Sequence, residues 1–360
     1  MSKELKLDKT SWVKTKLGEL AEEISVRVEN PSKSQYDRFV GLDCFVSGEL
    51  KIKKWSGTSN VNSSAKAFKA GDVLFARRNA YLKRASLVEF DGCCSGDAFV
   101  LRENHDKIVP GFLSFIVNSE KLWTYANSNA EGTMSKRVKW RDLANYEFLL
   151  PPKEQQVELA ELLWAMDTVI EKDLEVLERL ERYIEVSQKS IFQESKTLKL
   201  KDLIELNYGK ALKDSDRIDG SFKVVSSSGI QGTHNQYLSK GPGIVVGRKG
   251  NAGEIFWIED DFWTIDTAYY VTLKKEYLSY PIKGIYYLLK SVDFKKDLIA
   301  TAVPGLNRDD ALNNRINLPS ISELNSYVEK LDKLNELYLK LESKLQSSKA
   351  LQKALINQVF

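Results

Sequence analysis

One stretch of the chain limits its possible folds more than any other. From Lys153 to Ser195 there are 43 consecutive residues without glycine or proline, enough for a helix of about 64 Å at about 1.5 Å per residue. Apolar residues recur along it at three- and four-residue spacing, interrupted by Asp173 and Ser187. The predicted stripe consists of Leu159, Leu162, Met166, Val169, Val176, Leu180, Tyr183 and Ile191. A helix this long cannot bury its stripe within one lobe and therefore needs a partner.

The end of the chain supplies a matching segment. From Ser322 to Phe360 there is again no glycine or proline, and only Ser348 and Gln352 break the apolar repeat. That repeat consists of Tyr327, Leu331, Leu334, Tyr338, Leu341, Leu345, Leu355 and Val359. We expect the two helices to pair as an antiparallel coiled coil within the chain. The alternative is that each helix packs separately on a neighbouring lobe.

The segments that precede the two helices form a tandem repeat. Residues 71–77 match 242–248, residues 95–100 match 264–269, and residues 143–151 match 311–319, with offsets of 171, 169 and 168 residues. This alignment places Asp97 opposite Asp266, where an acid between strands is most simply structural. Three matches in the same order at nearly constant offset indicate a duplicated lobe, each copy followed by its long helix.

The predicted fold class is α+β, with two similar, mostly antiparallel lobes separated by two long antiparallel helices and an internal pseudo-two-fold symmetry. The predicted divisions are 1–152 for the first lobe, 153–195 for the central helix, 196–321 for the second lobe and 322–360 for the C-terminal helix. Two such lobes on a helical spacer could contact separated sites on one face of a DNA duplex.

Composition narrows the function classes. No run of 18 apolar residues occurs, and the first residues lack the apolar centre of a signal peptide, so we expect a cytoplasmic protein with no membrane partner. The only cysteines are Cys44, Cys93 and Cys94, a spacing that favours neither a disulfide framework nor a metal site. The net charge of the whole chain is +3. The central helix carries −6 and the C-terminal helix +1, so the lobes together carry +8. Basic lobes attract polyanions.

Two basic loops of the first lobe are candidate DNA contacts. The first contains Arg77, Arg78, Asn79, Tyr81 and Lys83, after a predicted strand. Arginine can read guanine, asparagine can read adenine, and both can hold phosphate. The second contains Ser135, Lys136 and Arg137, which suit phosphate. A solvated loop with salt bridges is the alternative.

The second lobe offers a corresponding loop. We expect Arg248 and Lys249 to hold phosphate, because the glycines beside Asn251 let the backbone approach; these glycines could instead only form a hairpin. Ser227, His234 and Asn235 are further candidates for contacts to base edges.

At this point the pattern resembles the specificity subunits of Type I restriction-modification systems, over nearly the whole chain. The segment LPPKEQQVELAELLWAMDTVIEK is similar to the family's central conserved helix, and GTMSKRVKWRDLANYEFLLPP to the lead-in before it. GDVLFARRNAYLKRASLV, GPGIVVGRKGNAGEIFWI and FWTIDTAYYV resemble core segments of its target recognition domains. One departure is SISELNSYVEKL after Pro319, where the family's fuller PPxxEQ pattern is absent.

The resemblance implies a non-catalytic DNA-recognition subunit. Each recognition domain would read one half of a split double-stranded DNA target, while the helices set the spacer and bind two methyltransferase (modification) subunits. A restriction subunit would join the larger complex. The chain would need no cofactor of its own, and S-adenosylmethionine, ATP and Mg²⁺ would belong to the partner subunits.

Two other functions stay open from the residues alone. The sequence has neither a GxxxxGK[ST] phosphate loop nor the polar-Pro-Pro-aromatic motif of adenine methylation. A nuclease centre of scattered acids has no fixed spacing, so an enzyme with an unrecognised catalytic centre is one alternative. A coiled-coil scaffold that does not bind DNA is the other.

Overall fold

The computed structural model describes residues 7–190, 196–299 and 304–360. The chain divides into two compact units, Met1–Glu175 with Ser343–Phe360 and Val176–Glu342. The boundary therefore passes through both long helices, so each unit contains one lobe and a part of each helix. The division into four parts predicted from the sequence stays a prediction. Positions 191–195, the predicted end of the central helix, lie outside the described residues.

The first lobe is built from three sheets. Its strands are β1 (Val13–Lys16), β2 (Ala21–Ile24), β3 (Arg27–Val28), β4 (Arg38–Val40), β5 (Ser56–Gly57), β6 (Ala65–Phe68), β7 (Val73–Ala76), β8 (Ala85–Leu87), β9 (Gly92–Ser95), β10 (Ala98–Glu103) and β11 (Glu147–Leu150). The sheet orders are β1-β11, β2-β10-β7-β8 and β3-β6-β9-β4-β5. All neighbours are antiparallel except β4 and β9.

Short helices cover the second of these sheets. They are α1 (Leu17–Leu20), α2 (Leu113–Val117), α3 (Glu120–Ser128) and α4 (Trp140–Leu143), and the chain then enters α5 (Lys153–Ser190). Phe75 of β7 stacks on Trp123 of α3 with ring centroids 4.6 Å apart. The end of the chain joins this core, because Phe360 packs against Phe112 and Phe148 at 5.6 and 5.9 Å.

The second lobe repeats the plan. Its strands are β12 (Lys196–Lys199), β13 (Ile204–Tyr208), β14 (Phe222–Ser226), β15 (Gly229–His234), β16 (Gly243–Gly247), β17 (Ile255–Ile258), β18 (Phe262–Thr264), β19 (Ala268–Leu273), β20 (Leu298–Ile299), β21 (Gly305–Leu306) and β22 (Arg315–Leu318). Its helices are α6 (Leu200–Leu203), α7 (Ile282–Lys290) and α8 (Arg308–Leu312), followed by α9 (Ile321–Val359).

The duplication predicted from the sequence is confirmed by strand order. The sheet β13-β19-β16-β17 has the connectivity of β2-β10-β7-β8, and β12-β22 corresponds to β1-β11. The proposed match of Asp97 with Asp266 is wrong by one residue. Ala98 pairs with Ala76, and Ala268 pairs with Gly247, so the residue equivalent to Asp97 is Thr267. A slip of one residue reverses which face of a strand a side chain occupies.

Helices α5 and α9 pack against each other in both units, and they run antiparallel. In the first unit, Lys344 Nζ lies 2.9 Å from Asp173 Oδ1, and Gln352 donates to the carbonyl of Leu163 at 3.3 Å. In the second unit, the Tyr327 hydroxyl donates to the carbonyl of Ser187 at 3.3 Å. The residue numbers of the contacts in α9 fall as those in α5 rise, so the helices are antiparallel, as predicted from the sequence.

The predicted stripe of α9 is confirmed, whereas that of α5 is partly wrong. Leu162, Val169, Val176 and Tyr183 are 43 to 50% exposed. The buried residues of α5 include Leu159, Leu163, Ile170, Leu177 and Leu180. Adjacent apolar pairs such as Leu162-Leu163 and Val169-Ile170 make two helical stripes equally regular, and only the packing distinguishes them.

The start of α9 is unaffected by the missing PPxxEQ pattern. Ser320 and Glu323 form a reciprocal cap, in which the Ser320 amide donates to Glu323 Oε2 at 2.9 Å and the Glu323 amide donates to Ser320 Oγ at 3.3 Å. Helix α9 consequently begins at Ile321, the position in the repeat that corresponds to Lys153 of α5.

Candidate nucleic-acid interface

The structure brings the two basic loops of the first lobe together. The Asn79 amide donates to the carbonyl of Lys136, and the Val138 amide donates to the carbonyl of Arg77, both at 2.9 Å. Arg78 Nη2 also donates to Ser135 Oγ at 3.1 Å. Asn79 has a positive φ of 54°, a turn conformation that asparagine tolerates better than most residues. Arg77, Arg78, Asn79, Ser135, Lys136 and Arg137 thus form one surface, which we call the first basic surface.

An acid lies within this surface. Arg137 donates two hydrogen bonds to Asp97, from Nε to Oδ1 at 2.8 Å and from Nη2 to Oδ2 at 3.2 Å. Arg78 Nη1 lies 3.6 Å from the same Oδ2. The hydrogen bonds from Arg137 hold the pKa of Asp97 below its ordinary value. Both arginine side chains are about two-fifths exposed, at 41 and 42%. Asp97 therefore holds two arginines that remain accessible from solvent.

Aromatic and apolar groups complete the first basic surface. The guanidinium of Arg77 lies over the ring of Phe99, with its carbon 5.3 Å from the ring centroid. Tyr81 is 65% exposed, and Met134, at the tip of the loop closed by Glu131 and Arg137, is 97% exposed. A surface of arginine and exposed ring or thioether suits bases and phosphates together.

Lys83 forms an ion pair with an acid of α3. Its ammonium is held by Glu120 of α3, whose other carboxylate oxygen lies 2.8 Å from Lys353 of α9. These two ion pairs link the loop and α3 to the end of α9, while a DNA contact by Lys83 stays a prediction.

In the second lobe, the loop after β16 contacts the turn between β14 and β15. The Arg248 and Lys249 amides both donate to the carbonyl of Thr267, at 2.8 and 3.1 Å. Asn251 Nδ2 donates to Ser228 Oγ at 3.3 Å, and a Cβ at Gly250 would lie 3.8 Å from Ser227 Oγ. Ser227, Arg248, Lys249 and Asn251 therefore share what we call the second basic surface.

Arg248 occupies the position of Arg77 in the repeat. The Val138 and Leu306 amides donate to the carbonyls of Arg77 and Arg248 respectively, and Arg248 lies over Tyr269 just as Arg77 lies over the equivalent Phe99. Burial raises the pKa of Tyr269 to about 12, so its hydroxyl stays neutral. The predicted match of the two loops is confirmed at atomic detail.

His234 and Asn235 lie apart from the second basic surface. His234 ends β15 at the end remote from the Ser227 turn, about 16 Å away at about 3.3 Å per residue. Its ring is buried against Trp263, and Nδ1 accepts from the Ile218 amide at 3.1 Å. The imidazole is thus enclosed within its lobe, and a contact of His234 with a base edge stays a prediction. Asn235 follows it at the same end and is exposed.

Neither a metal site nor a membrane segment emerges from the described residues. Within residues 7–190, 196–299 and 304–360, no group of three or more His, Cys, Asp or Glu side chains is placed to hold a metal ion. In the same ranges, none of the helices combines the length and the apolar character needed to cross a bilayer.

Comparison with known proteins identifies the family that has this architecture. The family model described as the Type I restriction modification DNA specificity domain matches twice, at residues 9–182 and 193–348. The MjaVIII specificity subunit of Methanocaldococcus jannaschii is 23% identical over 328 residues, covering 75% of this chain and 76% of that protein. The EcoDI specificity subunit of Escherichia coli is 28% identical over 138 residues, 34% of this chain and 30% of that protein.

Solved structures agree on the fold. The S subunit of a Type I system from M. genitalium gives a TM-score of 0.66 at 16% identity, covering 100% of this chain and 99% of that one. A chain from a study of complex assembly and conformational transition of the type I R-M system gives 0.62 at 19% identity, with 97% of both chains covered. Specificity subunits act in complexes with modification and restriction subunits and bind DNA. The chain belongs to the Type I restriction-modification specificity family, and it is a non-catalytic DNA-recognition subunit with two specificity domains.

Proposed function

We propose that each lobe reads one half of a bipartite DNA target through its own basic surface. The observation that carries this proposal is that both lobes place an arginine-bearing loop at the same topological position, Arg77 and Arg248, while the residues around the two arginines differ. Asp97 of the first lobe corresponds to Thr267 of the second. Equivalent scaffolds with different surface chemistry suit the recognition of two different half-sites.

The candidate contacts fall into two groups. Arg77, Arg78 and Asn79, together with Ser227 and Asn251, have side chains that suit base edges. Phosphate suits the second group, which consists of Ser135, Lys136, Arg137, Arg248 and Lys249. Tyr81 is exposed enough to stack on a base or pack on a sugar. Lys83, His234 and Asn235 are the weakest of the predicted DNA contacts, because they lie elsewhere on their lobes.

We further propose that α5 docks the modification subunits. Its apolar side chains that face away from α9 recur every seven residues, with Leu162 and Val169 in the first unit and Val176 and Tyr183 in the second. An apolar line at this spacing fits a partner helix. Since each unit carries one such pair, we expect two modification subunits per chain.

The remaining parts of the proposal concern the complex as a whole. The paired helices would set the number of base pairs between the half-sites. S-adenosylmethionine, ATP and Mg²⁺ would be bound by the modification and restriction subunits, and the chain would need no cofactor. The complex would act in the cytoplasm, on double-stranded DNA.

Exchanging residues 11–150 for the first lobe of another specificity subunit tests whether each lobe reads its own half-site independently. Methylated motifs mapped in cells that carry the chimera and its partners should change in one half only. A change in both halves would refute independent reading. Methylation by the isolated chain would favour the enzyme alternative, and binding to modification subunits without salt-dependent binding to DNA would favour the scaffold.

A further inference from the structure

The second basic surface contains two residues that were not among the predicted DNA contacts. The guanidinium carbon of Arg248 lies 4.9 Å from the ring centroid of Tyr208, and that of Arg308 lies 5.4 Å from the same centroid. Tyr208 ends β13 and is 48% exposed. Arg308 opens α8 immediately after the loop that leads from β21. Two cations thus share one exposed aromatic ring.

Few partners compete for these guanidinium groups. Arg248 donates through Nη1 to the carbonyl of Asp266 at 3.0 Å. Arg308 Nε is buried without a hydrogen-bond partner, and the carboxylate of Asp309 lies 3.5 Å from it. That carboxylate is 78% exposed, so the ion pair contributes little in water. An arginine stacked on a ring keeps its planar N–H edge available for a bidentate acceptor.

The second basic surface differs from the first in its charged residues. There, Asp97 neutralises part of the surface by gripping Arg137. In the second lobe the equivalent residue is the neutral Thr267, whose hydroxyl accepts from the Ser227 amide at 3.4 Å. Position 140, which corresponds to Arg308, is a tryptophan in the first lobe. At these two positions the second surface loses an acid and gains a base, while Gly305 takes the place of Arg137.

We propose that Tyr208 and Arg308 complete, with Arg248, a clamp for a DNA backbone phosphate in the second lobe. This inference rests on the proposed function. Arg248 and Arg308 contact the phosphate oxygens, and Tyr208 is a positioning residue that holds both guanidinium groups through cation–π contacts. The clamp fixes the register of the second lobe on its half-site and does not distinguish bases.

The test measures DNA binding of the chain assembled with its modification subunits, using duplexes that carry its methylated motif and duplexes that do not. Arg308→Gln should weaken binding to both duplexes roughly ten-fold and lower the slope of log affinity against log salt by about 0.9, the value of one phosphate contact on duplex DNA. Arg315→Gln is the control, because it removes the same charge from an exposed position of β22 in the same lobe. It should leave the slope unchanged.

Variants of Tyr208 separate positioning from folding. Tyr208→Phe keeps the ring and should bind as the wild type does, whereas Tyr208→Leu should lower the salt slope without changing the unfolding midpoint. If the wild-type complex binds the motif but Arg308→Gln keeps both affinity and slope, the clamp is wrong while the proposed function stands. If the wild-type complex shows no salt-dependent DNA binding, the proposed function itself fails.

Discussion

Asp97 accepts two hydrogen bonds from Arg137, Nε at 2.8 Å and Nη2 at 3.2 Å, in the middle of the surface that we assign to DNA. A carboxylate in that place repels phosphate and also fixes the direction of the arginine. Asp97 therefore lowers the affinity for DNA of unrelated sequence, which the protein binds only through its phosphates, and it also orients Arg137. The ratio of specific to non-specific affinity consequently rises.

Replacing Asp97 by Asn should strengthen binding to unrelated duplexes several-fold and make the salt dependence steeper, by about 0.9 in slope if the freed Arg137 gains a phosphate. The ratio of specific to non-specific affinity should fall. Titrations at several salt concentrations measure both quantities. Asp106→Asn removes an exposed acid of the same lobe and is the matched control. An unchanged ratio in Asp97→Asn would show that the acid has only a structural role.

Replacing Arg77 by Ala should cost roughly 1–3 kcal/mol of binding free energy if the side chain reads a base. This loss should be confined to duplexes in which the half-site of the first lobe is intact, whereas Arg248→Ala should weaken binding to all duplexes alike, because Arg248 holds phosphate. Binding is measured on duplexes with either half-site scrambled. For Arg77→Ala, a loss of equal size on all duplexes, scrambled ones included, would instead assign Arg77 to phosphate.

Replacing Leu162 or Val169 by Asp should weaken assembly with the modification subunits at least about ten-fold, because a carboxylate would be buried in an apolar contact. Thr168→Asp places the same charge on another exposed face of α5 and should assemble normally. Sedimentation or mass photometry of the complexes measures the difference. Equal assembly of all variants would exclude this face of α5 as the docking surface.

Two buried acids of α5 should respond oppositely to amide substitution. Burial raises the pKa of Asp167, and the nearby Glu171 adds to that shift. Folding therefore favours the protonated acid, and its contribution to stability is lost as pH rises through the folded-state pKa. Asp167→Asn should therefore raise the free energy of unfolding at pH 7, and the gain should disappear as the pH falls below the ordinary pKa of an aspartate.

Asp173→Asn is the comparison, since its carboxylate lies 2.9 Å from Lys344 Nζ. Loss of that ion pair should lower stability at pH 7. Urea unfolding of both variants at neutral and acid pH gives the two signs. Destabilisation by Asp167→Asn at neutral pH would mean that its carboxylate is stabilised by partners in the folded protein.

Removing seven residues from α5, together with the seven that face them in α9, should shorten the spacer of the recognised motif by about three base pairs, at about 1.5 Å per residue and 3.4 Å per base pair. The bases of the two halves should stay the same. The same deletion in one helix only should destabilise the protein, because facing residues lose their register. Motif mapping with an unchanged gap would refute the role of the helices as a ruler.

Much of the fold could be predicted because duplication and heptad spacing are periodic properties of sequence. The stripe of α5 was misplaced by one residue at Leu162 and Val169, since Leu163 and Ile170 are equally apolar. Asp97 was matched to Asp266 because both are acids, while strand register pairs it with Thr267. Equivalent positions in the two lobes are therefore identified more reliably by backbone hydrogen bonding than by similar side chains.

The candidate site was predicted less completely. Arg77 and Arg248 follow recognisable strands, so their equivalence was visible in the sequence. Tyr208 and Arg308 are 100 residues apart in the chain and belong to unremarkable segments. Only the pairing of β13 with β19 and the start of α8 bring them together. The burial of His234 likewise depends on Trp263, a contact between strands that sequence spacing does not reveal.

The packing of Phe360 against Phe112 and Phe148 has a consequence for biosynthesis. The first compact unit is assembled from two separate segments of the chain, since Met1–Glu175 is joined by Ser343–Phe360. On the ribosome, the core of this unit cannot close until residues 343–360 have been translated. Helix α5 meanwhile exposes the apolar face that α9 later covers. Nascent chains should therefore depend on chaperones until residues 343–360 have emerged, although the second unit is encoded by one continuous segment.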